Sequence, residues 1–139
     1  MARTVATGTG YERLEVYQRA MELVPRIRTL IGKLPDIEKY EMASQLRRAS
    51  RSIPANIAEG YAKRRSSKEF CAYLTTALGS ANEMEVHLRI AADSGYGDEG
   101  ECAGLVDGYK VLGRQLNRLI ASWRQGVPVT INQQRATEA

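Results

Sequence analysis

Phe70, Leu74, Ala77, Ala81, Met84, Leu88 and Ala91 recur at alternating intervals of four and three residues, without interruption. That interval keeps every member on one face of an α-helix, and a strand, whose faces alternate every second residue, cannot bury the set. Ser66 and Glu69 stand where a capping box would open this helix, and Gly95 where a left-handed residue would close it. A second seam of the same kind, Cys102, Leu105, Tyr109, Leu112, Leu116, Leu119 and Trp123, predicts another helix from about Asp98 to Arg124. Upstream, Met42, Leu46, Ala49, Ile53 and Ile57 line a helix expected from Asp36, as its N-cap, to between Gly60 and Arg64. Val16, Ala20, Leu23, Ile27, Leu30 and Leu34 line the first, expected from Glu12 to Gly32, with Gly32 and Pro35 ending it and Pro25 kinking it.

No segment alternates with period two, so the chain reads as all-α. Four long helices joined by short turns pack most simply as an up-down-up-down four-helix bundle. Its 139 residues, 43% apolar and 26% charged, suit one such core. The bundle is expected over residues 11–125, between a flexible start at 1–10, rich in Thr, Gly and Ala, and a flexible tail at 126–139. No apolar run is long enough to span a membrane. Residues 1–10 lack the apolar block of a secretory signal, and Cys71 and Cys102 have neither CxxC spacing nor clustered His. A cytoplasmic location with both thiols reduced is expected, the two cysteines lying at opposite ends of the bundle. The first helix also carries a second apolar stripe, Leu14, Tyr17, Met21, Val24 and Ile31, wider than one bundle core needs. Tyr17, Met21 and Val24 are therefore candidate contacts between copies of the chain.

In the second helix, "QLRRASRSIPANIAEG" (Gln45 to Gly60) closely resembles the signature of the 23S ribosomal RNA intervening-sequence proteins, a bacterial four-helix-bundle family. "LEVYQRAMELV" (Leu14 to Val24), Glu69-Phe70, "ALGSANEME" (Ala77 to Glu85) and "SGY" (Ser94 to Tyr96) extend the likeness over about residues 11–124. The resemblance implies a bundle commonly assembled as a ring-like homopentamer, with no known catalytic activity. Genes of this family often lie within insertions in large-subunit ribosomal RNA genes. A distant relative is the accessory protein of diversity-generating retroelements, which binds a reverse transcriptase and nucleic acid through a basic surface.

The residues themselves point away from catalysis. His87 is the single histidine, Met84 stands three before it, and a di-iron bundle needs paired Glu-x-x-His motifs. Ser80 or Ser52 could approach His87 only from within a helix, where no strand-turn-helix elbow presents a nucleophile. Neither a catalytic residue, nor a metal site, nor a cofactor is expected. Gln45, Arg48, Ser52, Asn56 and Glu59 form one polar strip on the second helix. It is either a solvated flank or a seam, between helices or subunits, meeting Ser80 and Glu83 with Arg48 paired to Glu83 or Glu59 in a buried ion pair.

Charge is unevenly distributed. Residues 44–68 hold seven basic side chains and one acid, Glu59, while the rest of the chain is slightly acidic. Arg47 and Arg51 point away from the core, and Lys63, Arg64, Arg65 and Lys68 follow at the helix end. Lys110, Arg114 and Arg118 add a stripe on the fourth helix. In an up-down-up-down bundle these converge at one pole, while Asp36, Glu38, Glu41, Asp93, Asp98, Glu99 and Glu101 gather at the other. The expected function is non-enzymatic binding of RNA or DNA phosphates through Arg47, Arg51, Lys63, Arg64, Arg65, Lys68, Arg114 and Arg118. Tyr61 is the nearest aromatic, so little base stacking is expected. The alternative is a protein scaffold offering the same surface to an acidic, reverse-transcriptase-like partner.

Overall fold

The computed structural model describes residues 10–125. The expected tail at 126–139, and all of the expected flexible start except Gly10, lie outside them. Four helices make up the fold: α1 (Glu15–Ile31), α2 (Met42–Ala62), α3 (Ser67–Asp93) and α4 (Glu99–Gln125), with no strand among the described residues.

Helix starts follow local hydrogen bonds more than apolar pattern. Residues Tyr11–Arg13 form a short 3-10 turn rather than the beginning of α1. The Glu12 carboxylate accepts the Gly10 N–H (3.2 Å) and its carbonyl accepts from Gln18 Nε2 (2.9 Å), which holds the turn in place. Leu14 is extended, and α1 begins only after it. Asp36 is likewise not the N-cap of α2. It opens its own 3-10 turn, Asp36–Glu38, where its carbonyl accepts from Lys39 N (3.1 Å). The turn residues Ile37 and Tyr40 bury little, so nothing apolar draws the helix start back before Met42.

α1 runs unbroken through Pro25, which is exposed. Gly32 does not turn left-handed. It keeps right-handed angles (φ −63°), and the chain leaves through tightened bonds, Lys33 N to Leu30 O and Leu34 N to Ile31 O. Half of the expected capping box forms at α3: Ser66 Oγ accepts the Glu69 N–H at 3.1 Å, while the Ser66 N–H goes to the Lys63 carbonyl instead. At the other end Gly95 is left-handed (φ 78°). Tyr96 N bonds Ala91 O and Gly95 N bonds Ala92 O, the paired bonds of a Schellman ending. Asp98 caps α4, its side chain accepting the Gly100 N–H at 3.1 Å.

The α3 seam is wholly buried from Phe70 to Ala91, and so are the predicted inward sets of α1 and α2. The α4 seam departs at its end, where Ile120 is buried while Leu119 and Trp123 are half-buried. A helix of 3.6 residues per turn drifts about 20° per heptad from a 3.5-residue seam, and three heptads rotate Ile120 inward. Tyr109 is fully buried and its hydroxyl has no partner among the described residues. Burial pushes this phenol well above the ordinary tyrosine range, with Arg26 opposing.

Each helix packs on its chain neighbours, and α4 returns to α1. Cross-helix contacts fix the directions. Cys71 Sγ meets the Ile120 carbonyl, Glu85 pairs with Lys110, and Lys33 at the far end pairs with Glu101. The order is up-down-up-down. One pole therefore carries the end of α2, the start of α3, the end of α4 and the turn before α1. No helix among the described residues is long and apolar enough to cross a membrane.

Candidate nucleic-acid interface

At the pole where α2 ends, Lys63 is the C-cap residue, Arg64 and Arg65 form the turn, and Lys68 lies in the first turn of α3. All four are exposed. Gly60 lets α2 and α3 meet closely just behind them: a Cβ there would fall 2.5 Å from Tyr73 Cβ and 3.1 Å from Phe70 Cδ1. That approach brings Tyr73 under Lys63, whose Nζ donates to the Tyr73 hydroxyl (2.9 Å) and lies 5.0 Å from the ring centroid. The hydrogen bond to Tyr73 raises the Lys63 ammonium above its usual range, keeping it charged. Tyr73 OH in turn donates to Glu59 at 3.3 Å. The Arg64 guanidinium stacks over Tyr61 (4.0 Å) and donates to the Tyr61 carbonyl at 2.9 Å. Neither Arg65 nor Lys68 pairs with a carboxylate among the described residues.

The pole holds more aromatic surface than Tyr61 alone suggested. Tyr61 meets Phe70 edge-on at 6.1 Å, Phe70 meets Trp123 at 4.8 Å, and Tyr11 meets Tyr17 at 4.9 Å. Tyr73 stands ten residues beyond Lys63 on the next helix and Trp123 on α4, so only the fold brings both to this pole.

The other predicted phosphate contacts do not all reach this pole. Gly113 lies against Leu78, which puts Arg114 near mid-height, with Arg118 one turn nearer the pole. Lys110 of the same stripe is held by Glu85 at 3.3 Å. Arg48 meets Glu83 and Ser52 meets Ser80, so Arg47 and Arg51 also lie at mid-height, on the side facing α1. Arg28, which the sequence reading did not select, joins them there.

The polar strip of α2 lies against α3. Arg48 bonds both Glu83 and Gln45, the latter at 2.7 Å. Ser52 Oγ donates to Ser80 Oγ at 2.6 Å, and Asn56 Nδ2 donates to the Ser52 carbonyl at 2.8 Å. Glu59 serves Tyr73 rather than Arg48. The Arg48–Glu83 pair is not buried, since the arginine side chain is 56% exposed. His87 is the second partner of Glu83, at 3.0 Å. Burial pushes the Glu83 carboxyl upward, but the bonds from His87 and Arg48 outweigh it and hold the group below the usual carboxylate range. No cluster of three or more His, Cys, Asp or Glu among the described residues could hold a metal ion.

Of the predicted contacts between copies, Tyr17 and Val24 are half-buried and Met21 is 39% exposed. Val86 and Ile90, also exposed, form a second apolar patch on the outer face of α3.

Fold and site together define an up-down-up-down helical bundle with a cationic, aromatic-backed pole. The model of the 23S rRNA-intervening sequence protein family matches residues 12–118, and the chain belongs to that family. Its structure is similar to the crystal structure of a protein of unknown function from the S23 ribosomal protein family of Bacteroides thetaiotaomicron. The TM-score is 0.68 at 27% sequence identity, over 76% of this chain and 97% of that one. No curated protein matches it in sequence.

Proposed function

We propose that this chain is a non-enzymatic protein that binds the phosphate backbone of RNA or other nucleic acid through its basic pole, acting as a closed homo-oligomer, the pentamer that the family resemblance implies. The observation that carries the reading is the cluster Lys63, Arg64, Arg65 and Lys68, backed by Tyr61 and Tyr73; Glu59 and Glu69 lie near Lys63, but none of the four cations is in an ion pair among the described residues. Like charges concentrated in one exposed turn cost the isolated protein repulsion, and an anionic strand relieves it. The tyrosines restrict Lys63 and Arg64, so less side-chain freedom is lost on binding. Readout of sequence is weak, because phosphate contacts carry none of it. The apolar patches at Met21 and at Val86 and Ile90 support burial against further copies.

Fluorescence anisotropy with an unstructured RNA tests the reading. Arg64→Glu/Arg65→Glu should weaken binding to every sequence alike without changing the circular dichroism spectrum, because both residues lie in an exposed turn. Absence of binding by wild-type protein at low salt would remove the nucleic-acid reading and leave an acidic, reverse-transcriptase-like protein as the partner to seek.

A further inference from the structure

Between α1 and α2, at mid-height, a small cavity of about 30 Å³ is lined by Val24, Ile27, Arg28, Ile31, Arg47, Ser50 and Arg51. Three of these seven residues are arginines and none is an acid. Among the described residues, none of the three arginines takes part in an ion pair or donates a side-chain hydrogen bond, unlike Arg48, Arg64 and Arg19. Arg47 and Arg51 are one turn apart on α2, a like-charge spacing that destabilises a helix by a few tenths of a kcal/mol. Arg28 faces them from α1 and adds to the repulsion. The walls Val24, Ile27 and Ile31 are apolar, which lowers the local dielectric and strengthens whatever charge interaction occurs at the mouth. The floor is polar: Ser50 is 3% exposed, and its hydroxyl donates to the Arg47 carbonyl (3.2 Å). The space suits roughly two waters, enough for the two non-bridging oxygens of a phosphodiester at its mouth and too little for a nucleobase.

We infer that Arg28, Arg47 and Arg51 form a phosphate-binding subsite, and that it takes a phosphodiester of the same strand that the pole engages. The second half of this inference rests on the function proposed above. Arg51 lies twelve residues before Lys63 on α2, a rise of ~18 Å along the helix. A stacked strand advancing ~3.4 Å per nucleotide covers that distance in roughly five phosphates. The groove then adds affinity and direction to a contact that begins at the pole. Guanidinium groups suit this task because their fork of donors matches phosphate oxygens.

Two measurements test it. In the first, inorganic phosphate is titrated into ¹⁵N-labelled protein while the arginine Nε–H resonances are followed, each assigned by its Arg→Lys variant. Saturable shifts at Arg28, Arg47 and Arg51 are expected, beside any at the pole; no shift at these three would overturn the subsite. In the second, the salt dependence of binding is measured with an RNA of about twelve nucleotides, long enough to span both sites. Arg28→Gln/Arg47→Gln/Arg51→Gln should shallow the log–log slope by about 2, from three contacts at roughly 0.7 each. An unchanged slope in this variant, while Arg64→Glu/Arg65→Glu still weakens binding, overturns the groove and leaves the pole standing. Phosphate shifts without any RNA binding by wild-type protein would overturn the strand assignment together with the proposed function, and retain only the anion subsite. All three arginines are exposed; should the triple variant lose its helical spectrum, the three single substitutions carry the same test, each with a slope change of about 0.7.

Discussion

Substituting Gly60 by alanine should destabilise the bundle, although alanine is the better helix former. In an open helix interior the change is favourable by about 1 kcal/mol. Here the new Cβ would lie 2.5 Å from Tyr73 Cβ and 3.1 Å from Phe70 Cδ1. Carbon atoms pack at roughly 3.5–4.0 Å, so the shortfall is about 1 Å against an atom fixed to the backbone of α3. Phe70 cannot yield, since it is fully buried and held edge-on by Trp123 and Tyr61. The clashing atom cannot move without α3, so the helices must separate, at an overpacking cost in the upper part of the usual range, about 2–3 kcal/mol. The net expectation is a loss of about 1–2 kcal/mol, together with a weakened Lys63–Tyr73 contact and weaker RNA binding. Gly79 is the control. A Cβ there meets nothing within 4 Å, so Gly79→Ala should stabilise by up to about 1 kcal/mol. Urea unfolding followed by circular dichroism, with all variants at one protein concentration, measures both. A Gly60→Ala variant as stable as wild type, or both variants shifting in the same direction, would refute the close-approach argument.

Glu83 is held below its usual carboxyl range, so its stabilising contribution is complete above the free glutamate value of about 4.3 and is lost as pH falls through the lower folded value. Glu83→Gln should therefore lower stability above about pH 4.3 and matter little at strongly acid pH, which flattens the acid limb of the stability–pH curve; an unchanged acid limb would discount the Arg48–Glu83–His87 cluster. Tyr109→Phe should be neutral or stabilise by about 1 kcal/mol in thermal melts, since it removes a buried hydroxyl without a protein partner; a clear loss would mean that the hydroxyl is satisfied. Cys71 and Cys102 are buried at opposite poles, and burial raises both thiols. Both should react slowly with a thiol reagent until urea is added, and a native Cys71–Cys102 disulfide would contradict the helix order.

The seams were legible because burial follows period. Phe70 to Ala91 needed only the alternation of four and three residues, and Gly95 only the need for a left-handed residue after it. The errors fell where hydrogen bonds compete locally. Asp36 carries every mark of an N-cap, yet its carbonyl is taken by a 3-10 turn and α2 starts at Met42. Charge was legible by composition but not by height. Arg47 and Arg51 belong to the same helix as Lys63, and counting its rise would have put them well below the pole. Tyr73 and Arg28 had no sequence signal of their own, since each joins its cations only when neighbouring helices pack, and Trp123 was legible as part of the α4 seam but not of this pole. The polar strip on α2 was open to two readings until Ser80 and Glu83 were found against it, and the same packing leaves its ion pair exposed rather than buried.

The most direct test of the central claim is the salt dependence of RNA binding by the unaltered protein. About four phosphate contacts per protomer at the pole predict a slope of log K against log salt of roughly −3 for a single strand. With the groove engaged as well, the slope should steepen to about −5, and it should be the same for RNAs of unrelated sequence. A slope near zero, or binding confined to one sequence, would contradict a protein that holds nucleic acid by its backbone through this basic pole.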